Sequence, residues 1–357
     1  MSTAQSQPKG QLRGGLWIKK ESSVYSPEQV AQWLKKIGYP GDPESFEPSL
    51  DNLCLLARLN LTTFPFENTP MHYTKGNSMD ITYEGLFKRL VAPSESGDAG
   101  SYCFGLNGIF FQMLRGLGFR VFSGSGRINE QPPGSPEIFH AFVHMILFVQ
   151  PIEGSNETYF VDVGAGPVRP MLLEDGECVP GSSPSESHIL MRTGRTDSSL
   201  ESSPSFQGPE KFEWRLKSVH TKDSTGSPTT RVLYSFIEDE FFDADYKSFN
   251  YSVLGLRAGL FWENVVCTKF FWMSDEEVRH VDGKVNVAAL MPLTRYMGRL
   301  AMAGDAVRRH LGTETTVLRV MKTEEERMEA LKEFFNIKIP VESLKYIRGR
   351  GAELGKE

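Results

Sequence analysis

The sequence predicts an α+β protein in three lobes, with helices first, strands next and mixed elements last. Three observations carry this expectation. The chain has 357 residues, and domains run to about 100–200 residues each. Apolar positions at helical spacing dominate before residue 120, whereas short apolar runs between turn residues fill 121–236. Apolar residues make up 39% of the chain, which supplies a sizeable core and argues against global disorder.

Residues 1–25, rich in Gly, Ser, Gln and Lys, read as a loose leader. They lack the apolar stretch of a secretory signal. Ser26 then caps a helix with Pro27 at its first position, and Gln29 completes a capping box. Gly38 and Pro40 end that helix. Residues 50–61 repeat apolar side chains at helical spacing, with Cys54 read as core. A short helix over 83–91 leads into a flexible small-residue loop, 93–101. Residues 104–117 form the next helix, closed by Gly118.

The period then changes. Residues 120–124, 140–149 and 158–163 read as strands, the last two joined as a hairpin through a turn-rich stretch. Strand-like pieces continue at 188–192, 212–216 and 231–236. The Ser-, Pro- and Gly-dense segment 181–208 reads largely as surface loop or insertion. Residues 261–272 and 293–300 suggest strands, and 324–335 an amphipathic helix. No internal repeat is visible. The expected lobes are 1–120, 121–236 and 237–357.

Net charge is −6, from 39 Lys+Arg against 45 Asp+Glu, with no basic run. That argues against nucleic acid as a partner. No apolar run reaches the roughly 18 residues of a membrane span. The four cysteines include no C-x-x-C pair. A reducing, cytoplasmic compartment without structural zinc is therefore expected.

Three residues stand out chemically. Cys103 follows a small-residue loop and precedes a helix, where the dipole favours a thiolate. His140 and His144 lie at the start of an apolar strand, where a buried ring needs a partner. Asp162 lies inside a second apolar run and is costly to bury alone. A hairpin centred near Gly154 sets Asp162 opposite Ile146, which makes it a diagonal neighbour of His144. A one-residue slip would separate them. Thiol, imidazole and carboxylate in that order suit an activated nucleophile with a base and an orienting group.

Four segments resemble the arylamine N-acetyltransferases. Phe64-Pro65-Phe66-Glu67-Asn68 is similar to the family's "PFEN" segment. Tyr102-Cys103-Phe104 with Asn107 resembles "RGGxCFExN" around its nucleophile. His144 before an apolar run resembles its histidine motif, and Val161-Asp162-Val163-Gly164 with Gly166 its "DxGFG". Asp245, Asn250 and Phe261, and the closing 331–337, resemble further family elements. The long Ser/Pro-rich stretch suggests a eukaryotic, fungal-like branch.

The resemblance implies a helical bundle, a central β-barrel and a C-terminal α/β lid, with a cysteine-protease-like core. It places Cys103, His144 and Asp162 on the catalytic positions and leaves His140 aside. It implies acyl transfer from acetyl-CoA, or another acyl-CoA such as malonyl-CoA, to an arylamine or arylhydrazine. The acyl-CoA is a cosubstrate; no bound cofactor, metal, nucleic acid or membrane is expected. Gly164 and Gly166 are candidate backbone contacts to the coenzyme, and Arg257 a candidate phosphate contact. A triad hydrolase or transglutaminase-like enzyme, and an impaired relative acting as a binding protein, are the alternatives.

Departures from the family pattern bear on these alternatives. Ala99-Gly100-Ser101 replaces Arg-Gly-Gly, so Glu67 needs another cation or donor. Gly105 stands where the family has Glu, and Ala165 where it has Phe, which widens the acceptor pocket.

Overall fold

The computed structural model describes residues 9–93, 98–195, 198–200, 212–221, 228–283 and 292–355. Parts of the expected loops at 93–101 and 181–208 lie outside them.

The chain begins with helices α1 (Pro27–Lys36), α2 (Leu50–Thr63), α3 (Pro70–Tyr73), α4 (Tyr83–Leu90) and α5 (Cys103–Gly116). The expected capping box opens α1: Ser26 accepts from Gln29 N, and Gln29 accepts from Ser26 N. Cys54 is only half-buried, because the inward stripe of α2 runs through Leu53, Leu56 and Ala57 instead. A two-residue strand β1 (Phe66–Glu67) interrupts this helical region.

Eight antiparallel strands follow. They are β2 (Arg120–Ile128), β3 (His144–Gln150), β4 (Tyr159–Val161), β5 (Met171–Leu172), β6 (Cys178–Pro180), β7 (Glu186–Thr193), β8 (Glu213–Thr221) and β9 (Pro228–Phe236). Their spatial order is β5-β4-β3-β2-β9-β8-β7-β6. The two edge strands, β5 and β6, are joined by the short stretch 173–177, so the sheet curls into a nearly closed barrel. Ile146, Phe148, Phe160, Leu190, Trp214 and Phe236 fill its interior. Met145, Leu147 and Val149, on the other face of β3, pack with α5 in the helical core. Burial on both faces explains why β3 reads as an unbroken apolar run.

The expected strand at 140–149 is shorter, because residues 140–143 precede β3. The hairpin register is as expected. Leu147 pairs with Val161, and one more step sets Ile146 opposite Asp162.

The rest comprises α6 (Asp243–Gly255), α7 (Leu260–Glu263), β10 (Val266–Trp272), α8 (Asp275–Asp282), β11 (Met297–Ala303), β12 (Ala306–Leu311), β13 (Glu314–Val320) and α9 (Glu324–Phe335). A second sheet orders β1-β10-β11-β12-β13, and Leu331 and Phe335 of α9 share its core with Met302 and Val307. Residues 261–263 are helical, not strand. Asn68 imposes this: its side chain donates to Phe261 O and Asn264 O, and accepts from Val266 N where β10 begins.

Candidate active site

Cys103 is the first residue of α5 and is 4% exposed. Tyr102 before it is fixed from two sides. Its ring packs on Phe104 and Phe261, and its hydroxyl donates to Asn250. The Cys103 sulfur lies 3.7 Å from Val143 O, just before β3.

His144 opens β3 and faces the barrel interior beside the Tyr234 ring. Its Nε2 lies 2.7 Å from Asp162 Oδ2, which leaves Nδ1 for the thiol. Burial pushes the imidazole down. The charge of Asp162 and that of Cys103, each with a hydrogen bond, outweigh it and raise His144 to about 10.

Asp162 is buried and fully engaged. Besides His144, it accepts from Asn107 Nδ2 at 2.8 Å and Tyr234 OH at 2.7 Å. It also accepts from Gly164 N at 2.7 Å and Ala165 N at 3.2 Å. Burial pushes its carboxyl up, but His144, Asn107 and Tyr234 hold it down at about 2. Asn107 lies one turn after Cys103, on the same face of α5. Its side chain also donates to Met145 O and accepts from Val163 N, which ties helix, strand and loop together.

The structure therefore brings Cys103, His144 and Asp162 into one buried cluster. His140 lies apart, paired with Glu130 near the surface. Gly164 and Gly166 allow close approach to the cluster. A Cβ on Gly164 would stand 2.9 Å from Cys103 Cα, and one on Gly166 2.5 Å from Asp162 Cβ. The N–H groups of Gly164 and Ala165 are turned onto Asp162, so these donors serve the chain's own carboxylate. Arg257 is exposed, 6.0 Å from the Trp262 ring, and does not line the cavity described below.

The departures near Cys103 are resolved locally. Glu67 is 1% exposed and accepts from Thr69 N and Gly100 N. Its cation comes from α4: burial lowers Arg89, and the charge of Glu67 acts against that shift. Arg89 also donates to Gly100 O and Ser101 Oγ, both at 3.1 Å. A Cβ on Gly105 would stand 2.0 Å from Ser101 Oγ, so Ser101 and Gly105 fit only as a pair.

Sequence reasoning missed Arg89 and Tyr234. An arginine on a short helix reads as surface. A buried tyrosine signals that it needs a partner, but not which one.

A cavity of about 480 Å³ adjoins the cluster. Leu106, Val163, Ala165, Phe66 and Phe270 are among the residues that line it, as are Gly164 and Gly166. Among the described residues, no group of His, Cys, Asp and Glu is placed to hold a metal. No helix among them is long and apolar enough to cross a membrane.

The chain is 26% identical over 346 residues to N-malonyltransferase FDB2 of Fusarium pseudograminearum, covering 91% of this chain and 92% of the relative. It is 32% identical over 156 residues to arylamine N-acetyltransferase of Mycobacterium tuberculosis, covering 42% of this chain and 51% of that one. The fold matches the Mycobacterium marinum arylamine N-acetyltransferase in complex with CoA at a TM-score of 0.62. That match has 22% identity and covers 86% of this chain and 92% of the other. The N-acetyltransferase family model matches residues 49–272, the span that carries Cys103, His144 and Asp162. The chain belongs to the arylamine N-acetyltransferase family of acyltransferases.

Proposed function

We propose that the chain transfers an acyl group from an acyl-CoA to an aromatic amine or hydrazine by a ping-pong route through Cys103. The Cys103 sulfur attacks the thioester carbonyl, and CoA leaves as its thiol. The acyl group is then held as an enzyme thioester. The amine attacks that carbonyl, the N-acyl product departs, and the sulfur is released. His144 moves the proton in both halves, and Asp162 fixes the ring with Nδ1 towards the sulfur. Gly105 N and Leu106 N already bond to Tyr102 O, which leaves the N–H groups of Cys103 and Phe104 as the donors for a developing oxyanion.

The observation that carries this reading is the buried Cys103–His144–Asp162 cluster, in which both carboxylate oxygens of Asp162 are engaged. Burial of Cys103 also supports it, because a thioester intermediate must be kept from water. Ala165 on the cavity wall leaves room for an aryl acceptor. Gly164 and Gly166 act by close approach to the cluster, and Arg257 is a surface contact for the coenzyme. The lobes 1–120, 121–236 and 237–357 and a cytoplasmic location belong to the same reading.

On the donor, malonyl-CoA is favoured over acetyl-CoA. The malonyltransferase relative matches nearly end to end, whereas the arylamine acetyltransferase match covers about half of either chain. The test is to incubate the protein with each donor, without acceptor, and measure the intact mass. An acyl adduct that is absent in Cys103→Ser is expected. No adduct with either donor, on a protein whose Cys103 still alkylates, would refute the thioester route.

A further inference from the structure

The cavity beside the cluster has a charged wall, set by the register of β7, β8 and β9. His188 lies opposite Ser218, and Ser218 opposite Arg231. One rung further out, Glu186 lies opposite His220, and His220 opposite Thr229. One rung further in, Leu190, Leu216 and Tyr234 are aligned, and Tyr234 donates to Asp162. The β8–β9 ladder shifts register between Leu216 and Lys217, so Arg231 follows Tyr234 on this face although the two are three positions apart in β9. Arg231 lines the same cavity as Leu106, Gly164 and Ala165, the residues beside the cluster.

The charges on this wall are not all balanced. Glu186 accepts from Ser182 N and Oγ at 2.9 and 2.6 Å and lies 3.7 Å from His220 Nε2, and the charge of His188, then that of Arg299, acts on it. Arg231 lines the cavity with its side chain exposed to solvent, and makes no ion pair or hydrogen bond among the described residues. His188 beside it is 4% exposed, and its Nδ1 is buried without a partner. A cation with free donors, next to an imidazole short of a partner, suits an anionic group at this end of the cavity.

We propose that Arg231, with His188 beside it, forms a carboxylate subsite that reads the free acid of a dicarboxylic acyl donor. This rests on the acyl-transfer reading of Cys103. In such a donor the carboxylate lies two carbons from the thioester carbonyl, so it enters the cavity while the sulfur is attacked. A plain acetyl donor leaves the subsite empty. The same anion chemistry is offered by the phosphates of CoA, and the experiment separates the two sources.

Cys103 acylation is followed by intact mass without any acceptor, with malonyl-CoA and acetyl-CoA in parallel. Only donor contacts are then read. Arg231→Ala is expected to lower the malonyl-to-acetyl rate ratio at least about tenfold, the scale of one charge-assisted hydrogen bond. Arg231→Lys is expected to restore part of the ratio, since it keeps the charge without the planar fork. Acetyl adduct on the variant shows that it is folded. An equal fall for both donors would overturn the proposal and assign Arg231 to a phosphate. An unchanged ratio with unchanged rates would also overturn it. No adduct on the unaltered protein with either donor would refute the Cys103 thioester itself, an outcome distinct from these two.

Discussion

Ser101 and Gly105 share one volume beneath Cys103. A Cβ on residue 105 would also come within 2.9 Å of Leu86. Alanine favours a helix over glycine by about 1 kcal/mol, yet overpacking a tight site costs roughly 1–3 kcal/mol. Gly105→Ala is therefore expected to destabilise the protein. Adding Ser101→Gly should recover much of that loss, because the clashing hydroxymethyl is gone, although Arg89 then loses one acceptor. Urea unfolding of both single variants and the double decides it; simply additive losses would contradict a shared volume. The same pair shows what the sequence could convey about the site. Cys103, His144 and Asp162 were legible as candidates, because a thiol before a helix and two polar groups inside apolar strands each pose a local problem, and the family resemblance then chose His144 over His140. The hairpin arithmetic around Gly154 even set the register. The replacement of the missing arginine by Arg89 was not legible, since only folding brings α4 against residues 100 and 101.

Among the elements, those that carry their own boundary signals were the legible ones. The capping box of α1 and the amphipathic span of α9 depend on residues within the element itself. Elements set by distant partners were not. β1 is two residues recruited by pairing with β10, and α7 is held by Asn68 within an expected strand. β13 is largely exposed, so it lacks the half-buried alternation that marks a strand. The end of α9 makes a testable case. Asn336 adopts φ +57°, Ile337 N bonds to Leu331 O at 3.1 Å, and Ile337 is buried. Asn336 N bonds to Lys332 O at 3.1 Å, so this is an αL closure, with asparagine where glycine is commonest. Asn336→Ala should cost about 1 kcal/mol, because a Cβ without the local amide disfavours this conformation. Asn336→Gly should be neutral or slightly stabilising. Thermal unfolding measures both; an alanine variant as stable as the parent would show that the left-handed turn carries no such cost.

At the scale of the whole molecule, Asp162 joins the parts. Its carboxylate is held by α5 through Asn107, by β3 through His144, by β9 through Tyr234 and by the loop after β4. Helical layer and barrel are thus fastened through one buried charge. That has a signed consequence for stability. Burial alone would raise this carboxyl, but His144, Asn107 and Tyr234 lower it from its ordinary value of 3.8 to about 2. A group lowered on folding contributes stability that is fully present above its unfolded pKa. The contribution is lost as pH falls through the folded value, and it is on the order of 2 kcal/mol. His144 is protonated in both states over that acid range, so its own titration adds no slope there. The stability gap between the parent protein and Asp162→Asn should therefore be level only between about pH 5 and about pH 6, because above the unfolded imidazole value of about 6.5 the contribution of His144, raised by Asp162, begins to be lost. It should narrow as pH drops from about 4 to about 2, where the parent also carries a neutral side chain at this position. Urea unfolding of both proteins at stepped pH measures the gap. A gap that stayed constant or widened on acidification would show that the depressed carboxylate is not what holds the helices to the barrel.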